Sequence, residues 1–246
     1  MLPEICHIGN FTVYSYGLML VLAFFVSVHF AGRQAARQGV EPAKIFDLCF
    51  YVFIAGIAGS RVLYVVNNFA YFAAHPLEIV MLQRGGMAIF GGIIFGFACA
   101  FIFIRKNKMG LLFTLDLLAP FVALGQSIGR IGCFLNGCCY GRPSEFGLYF
   151  PSAGQKLIPT QLYSSLLLFL IFLALRFLQT RKHPPGQVVF SYLFLYSVAR
   201  FCIEFFRNDS PRIFHGLTIF QIFSLAMFLV SVVLLGRLFY SRKRRE

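Results

Sequence analysis

The sequence predicts an all-α, polytopic integral membrane protein. It should be one bundle of about seven transmembrane helices, with the N-terminus outside, the C-terminus cytoplasmic and an outer-face arm. Three observations predict this. Apolar residues make up 59% of the chain and charged residues only 13%, against about 25% charged in a soluble domain; mean hydropathy is +0.76. The apolar residues gather in seven runs, roughly 11–31, 45–66, 86–104, 110–129, 160–179, 187–206 and 216–238. Each is near the ~20 residues that a helix needs to cross a bilayer. The runs lack the alternation of a barrel strand, and a loop at that depth would leave backbone groups unpaired.

Taken in order, the first run follows a segment whose one charge is Glu4. It has no basic region before it and exceeds the ~7–15 apolar residues of a cleaved signal, so it is expected to stay as a helix. Arg33, Arg37 and Lys44 follow it. The second run carries Arg61 and Tyr64 near its far end. The third opens with the pairs Gly85-Gly86 and Gly91-Gly92 and is followed by Arg105, Lys106 and Lys108. The fourth holds Asp116 and Gln126 and runs into Arg130. The fifth starts at Thr160 and Gln161 and ends among Arg176, Arg181 and Lys182. The sixth ends with Arg200, Glu204 and Arg207. The seventh is followed by or ends in Arg237, Arg242, Lys243, Arg244 and Arg245.

With seven spans, the clusters after the odd-numbered runs fall on one side. That side should be cytoplasmic, because short cytoplasmic loops carry the excess of Lys and Arg. The remaining basic residues, Arg61, Arg84, Arg130, Arg142, Lys156, Arg200, Arg207 and Arg212, fall near or beyond the outer ends. The net charge of +13 is therefore a set of topology signals rather than one nucleic-acid-binding patch, and no nucleic-acid partner is expected.

Residues 1–246 read as a single membrane domain without a soluble domain, low-complexity tract or internal repeat. The longest stretch outside the spans, about 130–159, contains Pro143, Pro151 and Pro159 among several glycines. It reads as an outer-face arm or cap between spans four and five, with Phe146, Leu148, Tyr149 and Phe150 at headgroup level. Gly92 with Gly96, and Gly125 with Gly129, have the spacing of close helix packing. Gly85-Gly86 and Gly91-Gly92 have two readings, packing or an approach of a lipid headgroup to the backbone.

This topology brings polar residues of five spans into the outer half: Tyr14, Tyr16 and Gly17; Arg61 and Tyr64; Gln126 and Arg130; Thr160, Gln161 and Tyr163; Arg200, Glu204 and Arg207. The inner half has chiefly Asp47 and Asp116. Arg200 and Glu204 are four residues apart and share a helix face. They read either as an ion pair that holds the bundle or as a carboxylate that orients an arginine toward an anion. Several arginines at one depth repel unless an anion sits among them, and arginine grips phosphate in a planar, bidentate manner. An anionic lipid headgroup fits. Of the seven cysteines, Cys49 and Cys99 read as small core residues. Cys133, Cys138 and Cys139 leave three readings open: a disulfide from Cys133 to one of the pair, packing thiols, or a metal site. Their spacing is not that of a usual zinc site and no histidine accompanies them, so no metal is expected.

Six motifs in order carry a resemblance. They are Tyr16-Gly17-Leu18, Gly59-Ser60-Arg61, Gly85-Gly86-Met87 through Gly91-Gly92, GRIGCFLNGCCYG from Gly129 to Gly141, Pro159-Thr160-Gln161-Leu162-Tyr163, and Arg200 with Glu204-Phe205-Phe206-Arg207. Together they resemble the prolipoprotein diacylglyceryl transferases, bacterial membrane enzymes that move a diacylglyceryl group from phosphatidylglycerol to a lipoprotein cysteine. The chain departs from that pattern at four positions. Phe90 stands where many members have a histidine, Cys133 where the signature has asparagine, Cys138 where it has glutamate, and Ser164 where a glutamate commonly follows Leu-Tyr.

The resemblance implies that the sulfur of a prolipoprotein's lipobox cysteine attacks the glycerol carbon bearing the phosphate, giving a thioether and glycerol phosphate. Arg130, Arg200 and Glu204 are the implied catalytic residues, with the two arginines on the phosphate. Tyr16, Arg61, Gly91, Gly92, Asn136, Gly137, Gly141, Gln161 and Tyr163 are the implied substrate-binding set, Arg61 either completing the site or supporting the bundle. The base is left open: His75 and His215 lie outside the motifs, and Glu204 serves only if Arg200 leaves it free. No cofactor is expected, because the lipid carries its own leaving group, and the expected location is the bacterial inner membrane. Two rivals remain: a relative that binds anionic lipid with lost or altered transfer chemistry, and a small-solute transporter. A transporter predicts midplane polar groups and an inverted repeat, which the sequence lacks.

Overall fold

The computed structural model describes residues 2–8, 11–81, 85–207, 212–214 and 216–243. Arg84, His215, Arg244 and Arg245 lie outside the described residues, as do the side chains of Arg212, Arg242 and Lys243. Among the described residues seven helices are long and apolar enough to cross a membrane: α1 (Ser15–Arg37), α2 (Pro42–Asn67), α4 (Ile89–Lys106), α5 (Leu111–Leu135), α6 (Thr160–Gln179), α7 (Gln187–Glu204) and α8 (Ile219–Lys243). A short α3 (Phe69–Ala74) and a 3-10 turn (Pro76–Val80) follow α2. The only sheets among the described residues are three separate two-stranded antiparallel hairpins. They pair β1 (Glu4–Ile8) with β2 (Phe11–Tyr14), β3 (Pro143–Phe150) with β4 (Gln155–Leu157), and β5 (Arg212–Phe214) with β6 (Leu217–Thr218). The protein is thus a nearly all-helical multi-pass membrane protein.

The ends of the spans differ from the expected ones for local reasons. Residues 11–14, FTVY, are rich in the β-branched and aromatic types that suit a pleated strand, so the first helix begins at Ser15. The fourth span runs six residues beyond 129, so the arm starts after Leu135. Its glycines do not break the helix: a Cβ on Gly132 would meet the Met19 Cβ at 2.9 Å, so this glycine lets α1 approach closely. Phe150, expected at headgroup level, is instead fully buried, between the rings of Phe134 and Tyr140. Phe146, Leu148 and Tyr149 are exposed.

The chain forms two compact units, residues 32–114, and residues 1–31 with 115–246. In the first, α2 packs along α4 through glycine. A Cβ on Gly91 would come within 2.2 Å of the Gly59 carbonyl oxygen, and one on Gly92 within 3.1 Å of the Gly56 oxygen. The close backbone approach is the small-residue packing that stands in for hydrophobic drive inside lipid.

In the second unit Ala119, Ala123, Ile171, Leu175, Val188 and Tyr192 form a core shared by α5, α6 and α7. Polar cross-links reinforce it. Ser127 Oγ donates to the Ser165 carbonyl at 2.8 Å and Ser165 Oγ returns the bond to the Ser127 carbonyl at 2.9 Å. Tyr192 donates to Gln126 Oε1 at 2.9 Å. Pro120 lies inside α5 and has no N–H to give the Asp116 carbonyl, as a helix interior requires; Gln179 Nε2 supplies a donor at 2.6 Å.

The Asp116 side chain accepts from Gly186 N at 2.6 Å and Val189 N at 2.8 Å, capping the start of α7. Two of the orphan donors of a helix N-terminus are satisfied by an acid from another helix, which gives this intramembrane carboxylate a structural role. Losing a cap costs about 0.5–2 kcal/mol, and burial of the freed donors adds to it. Asp116→Ala is therefore expected to destabilise the detergent-solubilised protein by about 2–3 kcal/mol, and Asp116→Asn by less. A change below about 0.5 kcal/mol in denaturant unfolding would refute the capping role.

Candidate active site

The signature stretch begins as the last turns of α5 and leaves the helix at Asn136. Gly137 takes φ +71° and Cys139 φ +63°, a left-handed conformation that favours glycine and is uncommon for cysteine. The following strand is held from two sides. Gly141 N donates to Ile158 O at 2.9 Å, and Arg142 N donates to Phe206 O at 2.9 Å, with a β-bridge between Gly141 and Arg207. The first turn of α6 fixes the loop from beneath. Thr160 Oγ1 donates to the Cys139 carbonyl at 2.9 Å and Gln161 Nε2 to the Cys138 carbonyl at 2.5 Å. Ser152 donates to Gly137 O at 3.2 Å. The end of α7, the signature loop and the start of α6 are thereby tied together by backbone and side-chain hydrogen bonds.

This brings three arginines near one carboxylate. Glu204 is buried. Its Oε2 lies 3.0 Å from Arg200 Nη2 and 3.9 Å from Arg207 Nε. Its Oε1 accepts from Thr218 Oγ1 at 3.0 Å. The Arg200 contact is an ion pair without hydrogen-bond alignment, since Oε2 has no directed donor among the described residues. Arg200 also lies over the Phe220 ring, 4.8 Å from its centroid. Arg130, half-buried on α5, makes no hydrogen bond or ion pair among the described residues. Its charge acts on Tyr16, Cys139 and Arg200. Three guanidinium groups against one carboxylate leave an excess of positive charge among apolar helices.

Three thiols complete the cluster. Cys133, Cys138 and Cys139 have their Sγ atoms all within 4.8 Å of one another, with Cys138 Sγ and Cys139 Sγ at 3.5 Å. All seven cysteines are free thiols, so no disulfide joins Cys133 to the pair. Hydrogen bonds from Cys133 and Cys138, then the charges of Arg207 and Arg130, hold the Cys139 thiol below the usual thiol range, against its partial burial.

The expected site residues divide accordingly. Arg130, Arg200, Glu204 and Tyr16 converge on this cluster, and Asn136 lies beside Cys138. Gln161, Gly137 and Gly141 shape the loop; the Gln161 Oε1 is buried without a partner among the described residues. Tyr163 is exposed on the outer face of α6, away from its buried face of Gln161, Ser165 and Leu168. Gly91 and Gly92 lie against the Gly59 and Gly56 carbonyls of α2 in the other unit, a geometry that favours the packing reading.

Arg61 is buried, and all five of its N–H donors point at backbone carbonyls. Nε donates to Ile79 at 2.8 Å, Nη1 to Gly85 and Gly86 at 2.6 and 3.0 Å, and Nη2 to Glu78 and Met81 at 2.5 and 3.2 Å. Of its two readings, support of the fold is the one that this geometry favours. Sequence places Arg207 in a motif without a role in the site, and it leaves the three cysteines with three open readings. The i, i+3 spacing of Glu204 and Arg207 was the available signal for the first; the second needs the turn at Cys139.

The fold and this cluster define an integral membrane protein with a cationic, thiol-rich site built on its helix ends. A family model described as prolipoprotein diacylglyceryl transferase matches residues 3–237, and the chain belongs to that family. It is 33% identical over 219 residues to the phosphatidylglycerol–prolipoprotein diacylglyceryl transferase of Clostridium tetani (strain Massachusetts / E88), covering 86% of this chain and 87% of the relative. It is 33% identical over 241 residues to transferase 2 of that name from Clostridium perfringens (strain 13 / Type A), covering 95% and 94%. The transferase of that name from Finegoldia magna (strain ATCC 29328 / DSM 20472 / WAL 2508) is 34% identical over 220 residues, covering 89% and 88%.

Proposed function

We propose that this chain transfers the diacylglyceryl group of phosphatidylglycerol to the lipobox cysteine of prolipoproteins. The observation that carries the reading is Arg130, unpaired among the described residues, beside the Arg200–Glu204–Arg207 group, an excess of guanidinium charge among apolar helices. A phosphodiester anion supplies the missing charge. Arg130 and Arg200 hold the phosphate, and Glu204 fixes Arg200 in place rather than taking a proton, since its oxygens face Arg200, Arg207 and Thr218. The acceptor thiol loses its proton to water. Its sulfur then bonds to the glycerol carbon, the carbon–oxygen bond to phosphate breaks, and the electron pair leaves on glycerol phosphate. The arginines stabilise the charge that gathers on that oxygen.

The chain acts in the cytoplasmic membrane of a bacterium with its N-terminus outside, and the site faces the outer leaflet. The distribution of Lys and Arg supports this orientation, and the bacterial sources of the relatives support the location. The test is incubation of the purified protein in detergent with phosphatidylglycerol and a single-cysteine lipobox peptide. Mass spectrometry is expected to find a thioether-linked diacylglyceryl peptide. Absence of product from protein that still binds phosphatidylglycerol would overturn transfer in favour of lipid binding alone, with the Cys133, Cys138 and Phe90 departures as the cause to pursue.

A further inference from the structure

We infer that Cys133, Cys138 and Cys139 form a three-thiolate site for a zinc ion whose fourth coordination position is open to an incoming thiol. The sulfurs are already gathered: all lie within 4.8 Å of one another, with Cys138 Sγ 3.5 Å from Cys139 Sγ. Zinc–sulfur bonds of about 2.3 Å place the sulfurs of a tetrahedral site about 3.8 Å apart. Small side-chain rotations therefore suffice to ligate.

The backbone is shaped for this convergence. Successive side chains in extended chain point to opposite sides, but the left-handed φ of +63° at Cys139 breaks the alternation and brings its sulfur to that of Cys138. Strained φ values of this kind persist where the surroundings impose them, and they cluster at functional sites. Those surroundings are rigid. Cys133 sits in the last turn of α5, Cys138 N donates to the Cys133 carbonyl at 3.2 Å, and Thr160 and Gln161 hold the next two carbonyls.

The charge is also complementary. A divalent ion with three thiolates carries one negative charge, and Arg130 and Arg207 both act on Cys139. No histidine or carboxylate joins the three sulfurs in their grouping among the described residues. A zinc site with three protein ligands keeps a position for water or substrate. This role rests on the transferase reading. The acceptor cysteine takes the fourth position as its proton passes to water, since metal coordination deprotonates a thiol. It then attacks the glycerol carbon as described above, and the ion keeps its charge throughout.

The test uses cobalt(II) as a spectroscopic probe on full-length protein, purified in detergent with reductant and stripped with chelator. One cobalt per chain is expected, with thiolate-to-cobalt charge-transfer and tetrahedral d–d bands that zinc displaces. The bands should be lost in Cys133→Ser and Cys138→Ser and kept in Cys49→Ser, each checked as monodisperse by gel filtration. A single-cysteine lipobox peptide should shift the d–d bands, and its serine counterpart should not. Absence of the bands in wild-type protein, their survival in Cys133→Ser, or a disulfide among the three cysteines in protein taken directly from membranes would overturn the site. An unchanged spectrum with peptide would overturn the open position. Cobalt bands that respond to peptide, with no diacylglyceryl product formed by the zinc-loaded protein, would leave the site standing and sink the transferase reading.

Discussion

Arg130→Ala is expected to lower diacylglyceryl transfer at least about 100-fold, the scale on which removal of one preorganised charge-stabilising donor acts, without lowering thermal stability. The two readouts separate because of the geometry. Arg130 has no hydrogen bond or ion pair among the described residues, and it faces the like charge of Arg200. Among the described residues its removal breaks no hydrogen bond or ion pair, and it relieves the repulsion with Arg200.

Arg200→Ala should lose as much activity, but it also leaves the buried Glu204 without its 3.0 Å partner. Breaking a buried pair on one side costs about 3–5 kcal/mol, so this variant is expected to unfold earlier. Arg200→Lys keeps the charge and loses the planar fork, and should fall between them. Measuring transfer rates alongside unfolding in detergent checks all three. An Arg130→Ala protein with near-normal transfer would remove Arg130 from the site. One that unfolds early would show that the charge is a structural partner rather than a free cation.

The reach of the sequence follows the same division between forces that act alone and those that need a partner. Span α6 could be read to the residue, because its apolar run is bounded by Pro159 and by Arg181 and Lys182. The membrane imposes that signal on each helix separately. The i, i+4 spacing of Arg200 and Glu204 was legible for a related reason, since it lies within one helix. The Arg61 contacts were not legible. They depend on a turn that brings carbonyls 17 to 25 residues away onto one guanidinium, and no local pattern encodes it. Gly91 and Gly92 gave a signal of close approach in the sequence; only the position of Gly59 and Gly56 shows that the α2 backbone approaches them. The helical extension through Gly132 to Leu135 likewise depends on α1 resting against it.

Arg61→Ala is expected to destabilise the protein by about 3–5 kcal/mol, and the loss should originate in the turn after α2 rather than at a substrate. The carbonyls of Glu78, Ile79, Met81, Gly85 and Gly86 lose their charged donors together; these hydrogen bonds are part-buried, so each lost bond costs up to about 1–3 kcal/mol before relaxation and water entry reduce the sum. Stacking is lost as well, since the guanidinium lies 5.3 Å from the Phe72 ring centroid and 5.8 Å from that of Tyr64. The Tyr64 ring also leaves no room for a Cβ on Gly86, so the turn cannot collapse inward to repair itself. Arg61→Lys has three donors and no fork, and it should recover only part of the loss. A glutamate-specific protease should cut after Glu78 faster in either variant than in the wild type. Transfer should fall in proportion to the unfolded fraction and recover on cooling. An Arg61→Ala protein that unfolds and resists protease like the wild type, yet no longer transfers lipid, would return Arg61 to the substrate. Its five backbone contacts would then have to open when phosphatidylglycerol binds.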